Sequence, residues 1–345
     1  MSLSPQPNCP VCSKQEKLLL CKACKVQRYC GREHQTVDRD NHKKACKGIK
    51  KALQDLDEEE QKLRAFPGDF MTPANVFENN AGQFWGIVGT RPYMSSRFAL
   101  VDALLKVKTR AAVQSCLDHV MDILRLCRSD NLGVRDFAPA LFLRLGKDQE
   151  CYDFVKWWAT TGRRGDYDWG NTDLPYLDVR DADAFEACDL YTGRYPELSH
   201  TVAVTLIKTR MLHDLRSLQD FTTTTTLAEI APQLPQEILD HIRGQSVSTI
   251  IAGKVEFMYS NDQGPAIEEL KVQVKELYEA VKKENKHLWP ALLRPGNNLT
   301  ARLAGYANGT KEQMQLVLQC SYDSWVETPG AIDLIREQVE NDAGN

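Results

Sequence analysis

Four pairs of potential metal ligands lie within the first fifty residues, and they restrict the possible fold more than any other feature of this sequence. In chain order, the pairs are Cys9-x2-Cys12, Cys21-x2-Cys24, Cys30-x3-His34 and His42-x3-Cys46. Two intervening residues let a tight turn bring both sulfurs to one ion. Three intervening residues equal one helical turn, which puts both ligands on the same helix face. The eight ligands therefore predict two tetrahedral zinc sites.

These predicted sites are structural, because four protein ligands around each ion leave no position open for water or substrate. Residues 1–50 contain few large apolar side chains, so the metal must supply the folding energy that a core would otherwise provide. A disulfide framework is the alternative use of the cysteines, but disulfides do not require histidines at helical spacing.

The spacing leaves the pairing of the ligands open. In a sequential arrangement, the first pair shares an ion with the second pair, and the third with the fourth. In an interleaved arrangement, the first pair shares an ion with the third, and the second with the fourth. Both arrangements give four ligands to each ion.

The residues around the ligands resemble the MYND zinc finger. The resemblance rests on the ligand spacing together with Tyr29-Cys30, Gln35, Asp38, His42-Lys43 and Cys46. MYND fingers use the interleaved arrangement. The resemblance therefore implies one zinc ion on Cys9, Cys12, Cys30 and His34, and a second on Cys21, Cys24, His42 and Cys46. It covers residues 9–46, about a tenth of the chain.

Two positions depart from the family pattern, and one of them bears on function. The family usually has cysteine at the position of His34 and tryptophan at the position of Arg39. MYND fingers typically bind short proline-containing peptides in a shallow groove, and the resemblance assigns that role to Gln35. Arginine lacks the apolar face that tryptophan offers to proline, although its guanidinium can pair with a carboxylate. The resemblance thus implies an adaptor or scaffold for proline-containing or acidic peptides, in transcriptional or developmental regulation.

The finger segment is basic, although the whole chain has a formal charge of −4. Residues 1–51 contain twelve Lys or Arg and four acidic residues, a formal charge of +8. Two Cys3His zinc sites lower this charge to about +6. Such a segment suits an acidic protein surface or, as the alternative, non-specific contact with nucleic acid. A solvated lysine shell that offsets the anionic zinc sites is a third interpretation.

The predicted fold class is mainly α, with a small two-zinc finger followed by a helical body. Between them, the sequence predicts a connecting helix over residues 47–66 and an irregular segment docked by its aromatic side chains. The predicted divisions are a finger at 1–50, the connecting segment at 51–92, a helical-hairpin domain at 93–220 and a C-terminal helical region at 221–345.

Two helical hairpins are predicted in the body, over residues 93–127 and 134–160. Apolar side chains recur with helical spacing, as in residues 113–124, and Asp148 is expected to cap a helix after Gly146. Phe98 aligns with Phe137 at an offset of 39 residues, which fits a tetratricopeptide-type array or an irregular bundle. Residues 144–158 resemble the helical bodies of fungal MYND-finger proteins, which implies no known activity.

The C-terminal part of the body is expected to contain several helices and one joint. Five threonines at residues 222–226 predict the joint, because β-branched polar residues neither favour helix nor pack well. Helices are predicted from residue 198 to about 215 and over residues 235–242, 246–251, 267–288, 313–325 and 331–339.

The sequence predicts a protein that is not an enzyme. SET methyltransferases can carry MYND fingers, but their Asn-His signature occurs here only as Asn41-His42, inside the finger. The chain contains no Gly-x-Gly and none of the common hydrolase or phosphate-loop motifs. Acidic and aromatic residues mix at 162–197, where a solvated loop is a simpler explanation than a glycosidase cleft.

The five cysteines outside the finger indicate the cellular compartment of the protein. They are odd in number and scattered along the sequence. They predict thiols in a reducing compartment, the cytoplasm or the nucleus. The sequence has no signal segment and no apolar run of the roughly 18 residues that a membrane helix needs, so no membrane association is expected.

Overall fold

The computed structural model describes residues 7–193, 196–224, 244–254, 256–257, 260, 262–302 and 305–344. The chain divides into two compact units, the first of residues 2–145 with 166–176 and the second of residues 146–165 with 177–345. Both units are built mainly of helices, which confirms the predicted fold class. The divisions predicted at residues 50, 92 and 220 stay predictions.

The finger, at the start of the first unit, contains a small antiparallel sheet and the beginning of a long helix. Strand β1 (Leu19–Leu20) pairs with β2 (Arg28–Tyr29), and the hairpin encloses the second cysteine pair. Helix α1 (Arg32–Val37) follows, and α2 (Arg39–Ala65) begins two residues after it ends.

Helix α2 belongs both to the finger and to the packed part of the first unit. The connecting helix predicted over 47–66 is the C-terminal part of α2, which already begins at Arg39. The apolar side chains Ile49, Leu56 and Leu63 recur every seven residues and are buried, and α2 packs against α4 (Arg91–Leu105). One continuous helix therefore carries finger ligands at one end and a packing face along its length.

The first unit continues with a helical hairpin. The further helices of the first unit are α3 (Val76–Asn79), α5 (Arg110–Leu126) and α6 (Ala138–Arg144). Helix α5 packs against both α4 and α6. The apolar stripe predicted at 113–124 is buried, except that Met121 is half-buried.

The irregular segment between α2 and α4 is docked by some of its aromatic rings but not by all. Phe77 lies edge-on to Phe84 and to Tyr93, with ring centroids 5.3 Å and 5.0 Å apart. Phe70 is fully exposed, so the prediction is wrong for this residue. Asp69 accepts the backbone N–H groups of Met71 and Thr72, and this turn directs Phe70 away from the packed rings.

The second unit packs its helices around buried tryptophans. They are α7 (Asp148–Ala159), α8 (Asp189–Thr192), α9 (Leu198–Thr224), α10 (Thr249–Gly253), α11 (Gly264–Glu284), α12 (Leu288–Leu293), α13 (Lys311–Val326) and α14 (Ala331–Gly344). Trp289 stacks on Tyr278 and meets Trp325 edge-on. No helix in the described part of the chain is long and apolar enough to cross a bilayer.

Several predicted boundaries differ from the observed ones. Helix α9 continues through Thr224, so the predicted joint is helical at Thr222–Thr224; its last two threonines and the helix predicted at 235–242 lie outside the described residues. The helix predicted over 267–288 ends at Glu284. In the hairpin predicted over 134–160, α6 belongs to the first unit and α7 to the second.

Asp148 does not cap α7 with its side chain, contrary to the prediction. Its buried carboxylate instead accepts a hydrogen bond from Arg210 Nη1 at 2.7 Å and one from the backbone N–H of Thr249 at the start of α10. The side chains of Asp148 and Arg210 are 0% and 5% exposed. A buried guanidinium needs an anionic partner, and this requirement outweighs local capping.

Candidate metal centres and adjoining groove

The two Cys-x2-Cys pairs of the finger form turns of the same type. The backbone N–H of Ser13 donates to the carbonyl of Cys9 at 2.8 Å, and that of Lys25 donates to the carbonyl of Cys21 at 2.9 Å. Ser13 and Lys25 have φ angles of 57° and 59°, in the left-handed region. These turns fold each chain segment back so that both sulfurs of a pair face the same point.

The third and fourth ligand pairs differ in their backbone. His42 and Cys46 both lie in α2, one helical turn apart, as predicted. For the third pair, the helical prediction is wrong, because α1 begins only at Arg32 and Cys30 lies in a bend before it. Extended Gly31 before the helix brings Cys30 and His34 together in a different way.

The eight predicted ligands gather into two groups of four. In each group the sulfur and nitrogen atoms all lie within 4.8 Å of one another. One group brings the first pair together with the third, and the other brings the second pair together with the fourth: Cys9, Cys12, Cys30, His34 and Cys21, Cys24, His42, Cys46. The geometry is thus interleaved rather than sequential.

Most of the distances within the groups match the edges of a zinc tetrahedron. Zinc–sulfur and zinc–nitrogen bonds of about 2.3 and 2.05 Å imply sulfur–sulfur edges of about 3.8 Å and sulfur–nitrogen edges of about 3.6 Å. The Sγ atoms of Cys21 and Cys46 are 3.8 Å apart, and Cys24 Sγ lies 3.6 Å from His42 Nε2. In the first group, Cys9 Sγ lies 3.6 Å from Nδ1 of His34, whereas Cys30 Sγ lies closer to this nitrogen, at 3.0 Å. Both groups are therefore consistent with two zinc ions.

The acidity of the thiols also suits a cation. Burial opposes ionisation of Cys9, but hydrogen bonds, first that from the backbone of Cys30, lower its pKa to about 6. The pKa of Cys30 rises to about 11 because of desolvation and the neighbouring sulfurs of Cys12 and Cys9. The same effects lower the pKa of Cys21 to about 6 and raise that of Cys46 to about 12. A divalent cation removes this mutual repulsion and allows all the thiols to ionise.

Tyr29 and Asp38 brace the two groups, a role that sequence reasoning did not assign. The Tyr29 hydroxyl donates to Asp38 Oδ2 at 2.8 Å, and the ring lies edge-on to His42. Burial and the Asp38 carboxylate raise the pKa of Tyr29, so its proton stays on the hydroxyl. Since Asp38 joins α1 to α2, the bond fixes the angle at which the two helices present their ligands.

A groove of about 420 Å³ lies beside the second group of ligands, between α1 and α2. Gln35 and Arg39, which the resemblance assigns to peptide binding, both line it. Sequence reasoning missed four further cations in its wall: Arg32, Lys43, Lys47 and Lys50. Two of them, Lys43 and Lys47, could have been found from their spacing of four and eight residues after Arg39 along one helix.

The finger is also attached to the helical hairpin of the first unit by a hydrogen bond. The hydroxyl of Thr109 donates to the carbonyl of Val26 at 2.8 Å. The same oxygen accepts the backbone N–H of Ala112 and so caps α5. One side chain therefore couples the second cysteine turn to the start of a packed helix.

Comparison with known proteins identifies the finger. Residues 9–46 match the family model of the MYND finger, a domain that generally mediates protein–protein interactions. No curated protein and no solved structure matches the chain. Residues 9–46 therefore form a MYND zinc finger with two Cys/His groups suited to two zinc ions.

Proposed function

We propose that this protein is an adaptor or scaffold whose finger recruits partner proteins by binding short peptide segments. The groove between α1 and α2 carries the proposal. Its volume of about 420 Å³ is within the usual range of ligand pockets, and it is held open by helices that the ligand groups fix in place.

The groove favours acidic peptides over purely proline-containing ones. Gln35 offers an amide that can both donate to and accept from a peptide backbone. Arg39 replaces the tryptophan of other MYND fingers with a planar cation, which binds carboxylates in a bidentate manner. The proposed partner is an acidic segment, in which proline serves only to keep the chain extended.

Nucleic acid is the less favoured ligand for the same groove. Single-stranded nucleic acid is usually held by aromatic rings that stack on its bases, in addition to cations. Among the described residues that line the groove, His42 carries the only aromatic ring, and it is one of the predicted zinc ligands. The lining therefore supplies charge but no free stacking surface.

The proposal includes a non-catalytic role for the chain, and in particular no SET-type methyltransferase activity. Each ligand group provides four protein side chains, so a tetrahedral ion bound there has no open position for a reacting molecule. Developmental or transcriptional regulation is the expected setting. The five cysteines outside the finger form no disulfide, which supports residence in the cytoplasm or nucleus.

The body is proposed to be a helical scaffold that carries the finger, with a tetratricopeptide-like relationship between the first helices of its two predicted hairpins. The rings of Phe98 and Phe137, which the 39-residue offset aligns, lie edge-on with centroids 6.1 Å apart. Equivalent positions of neighbouring repeats pack together in such arrays. The proposal also includes the resemblance of residues 144–158 to the helical bodies of fungal MYND-finger proteins.

A peptide array tests the proposed function directly. The zinc-loaded full-length protein is applied to immobilised acidic, proline-containing and neutral peptides, alongside its Cys30→Ser variant. We expect binding to acidic peptides, and loss of this binding in the variant because the first ligand group is broken. Circular dichroism should show that the variant keeps its helical body.

The matched control is Cys320→Ser, which removes a thiol of the second unit and no predicted ligand. This variant should bind the array as the unmodified protein does. Equal binding of acidic peptides by Cys30→Ser and the unmodified protein would mean that the finger does not bind them. An array without any bound acidic peptide would refute the proposal.

A further inference from the structure

The cations of the groove are separated from the acidic residues of the same segment. Arg32 on α1 and Arg39, Lys43, Lys47 and Lys50 on α2 all line the groove. In contrast, none of the carboxylate side chains of the finger lines it: Glu16, Glu33, Asp38, Asp40. The groove wall also contains two cysteines that are predicted zinc ligands, Cys21 and Cys46. A merely solvated helix surface has no need to sort its charges in this way.

These cations also have no protein anion as a partner. Within the described part of the chain, none of the five lies within 4.0 Å of a carboxylate oxygen. Like charges that converge on one concave surface repel one another, so the groove as it stands favours an anionic occupant.

The positions on α2 have a regular spacing that restricts the shape of this occupant. A rise of about 1.5 Å per residue separates Arg39, Lys43 and Lys47 by about 6 Å each along the helix axis. Lys50 follows about 4.5 Å further on, so the four cations span about 16 Å. In an extended peptide, side chains that point the same way recur every two residues, about 6.6 Å apart.

We propose that the groove selects an extended peptide that lies along α2 and carries Asp or Glu at every second position. Alternate carboxylates then meet Arg39, Lys43 and Lys47 in turn, while Arg32, Gln35 and Thr36 form the opposite wall. The intervening side chains point away from α2. This inference rests on the proposed function and adds a spacing requirement to it, because clustered acidic residues of equal charge match only part of the row of cations.

Fluorescence anisotropy with two labelled heptapeptides of equal composition tests the spacing requirement. One alternates glutamate and serine, Glu-Ser-Glu-Ser-Glu-Ser-Glu, and the other has four glutamates followed by three serines. With the zinc-loaded full-length protein at about 0.15 M salt, we expect the alternating peptide to bind about three- to tenfold more tightly, since fewer pairs form with the clustered one. Equal affinities would refute the requirement for acidic residues at every second position, although the proposal that the groove binds acidic peptides would stand.

Two variants locate the binding on the helix face. Lys47→Gln removes one of the four groove cations on α2 and should weaken binding of the alternating peptide about two- to fivefold. Lys44→Gln removes the same charge from an exposed position of α2 that does not line the groove, and it should have no effect. Equal losses in both variants would mean that only net charge matters, and would overturn the inference.

A third ligand separates this inference from its alternatives. A heptamer of deoxythymidine that competes more strongly than the alternating peptide would assign the groove to nucleic acid and overturn the proposal. If neither peptide nor oligonucleotide binds, the proposed function itself fails, a result that differs from equal binding of the two peptides.

Discussion

The finger buries little apolar surface, whereas the second unit is built around large buried side chains. Among residues 7–46, the buried apolar side chains other than predicted ligands are Val26 and Tyr29. The second unit buries Trp157, Trp289 and Trp325 almost completely. A core of this size stabilises by hydrophobic burial, and the finger must instead depend on cross-links through metal ions. We therefore expect the finger to be sensitive to loss of metal and the second unit to be sensitive to changes in its core.

Zinc removal should have the largest effect and should act on the finger. Structural zinc sites of small fingers contribute about 10–16 kcal/mol of apparent binding energy, which two buried side chains cannot replace. We expect a strong chelator to release two zinc ions per chain, as measured with a metal-sensitive dye. The tryptophan fluorescence transition in urea should remain, because residues 7–46 contain no tryptophan.

A variant gives the same comparison without chelator. Cys21→Ser should lower the zinc content and weaken the fold of the finger, while Cys320→Ser should retain both ions. Loss of the tryptophan transition in Cys21→Ser would contradict the separation between the two regions.

Breaking the buried ion pair should have the converse effect and destabilise the second unit. Asp148→Ala leaves the Arg210 guanidinium buried without its carboxylate, and such losses cost about 3–5 kcal/mol. The urea midpoint followed by tryptophan fluorescence should fall accordingly, with the zinc content unchanged. A double variant, Asp148→Leu with Arg210→Met, should lose less stability because neither member of the pair is left as a buried charge without its partner. A full additive loss in the double variant would argue against this explanation.

Stability of the first unit should depend on pH through Asp130. Burial raises the pKa of its carboxyl group from 3.8 to about 6. A raised pKa means that the folded state prefers the protonated form, so the stabilisation is full below about pH 4 and is lost as pH rises through 6. We expect a decrease of about 1–3 kcal/mol over this interval. Urea unfolding of the unmodified protein and of Asp130→Asn should give different pH profiles, and parallel profiles would contradict the assignment.

The smallest effect is expected where the finger is attached to the helical hairpin. Thr109→Val removes both the cap of α5 and the hydrogen bond to Val26, at a cost of about 1 kcal/mol. Thr109→Ser keeps the hydroxyl and should be nearly neutral. Hydrogen exchange at the finger amides should accelerate in the valine variant only. Equal exchange in both variants would show that this contact does not hold the finger.

Some features of the site followed from local spacing, and these were predicted well. His42 and Cys46 lie one turn apart on a helix because helical periodicity is a property of neighbouring residues. Cys30 and His34 have the same spacing but a different backbone, since extended Gly31 separates Cys30 from α1. The spacing was compatible with both conformations, and only the surrounding ligands select one.

Other features depend on residues far apart in the chain. Asp148 has the sequence context of a helix cap, yet its carboxylate contacts Arg210, which is 62 residues away. The cations of the groove appeared in the sequence as a general excess of positive charge, and their common wall became evident only with the angle between α1 and α2.

The sequence by itself determined the identity and number of the finger ligands, the basic charge of the finger and the helical character of the body. Each of these is carried by residue type or by spacing within a few positions. The tertiary structure decided which ligand pairs share a group, which cations face the groove and which charge lies opposite Asp148. Such pairings depend on how segments that are distant in sequence pack against one another. Many packing arrangements are compatible with the same local sequence pattern.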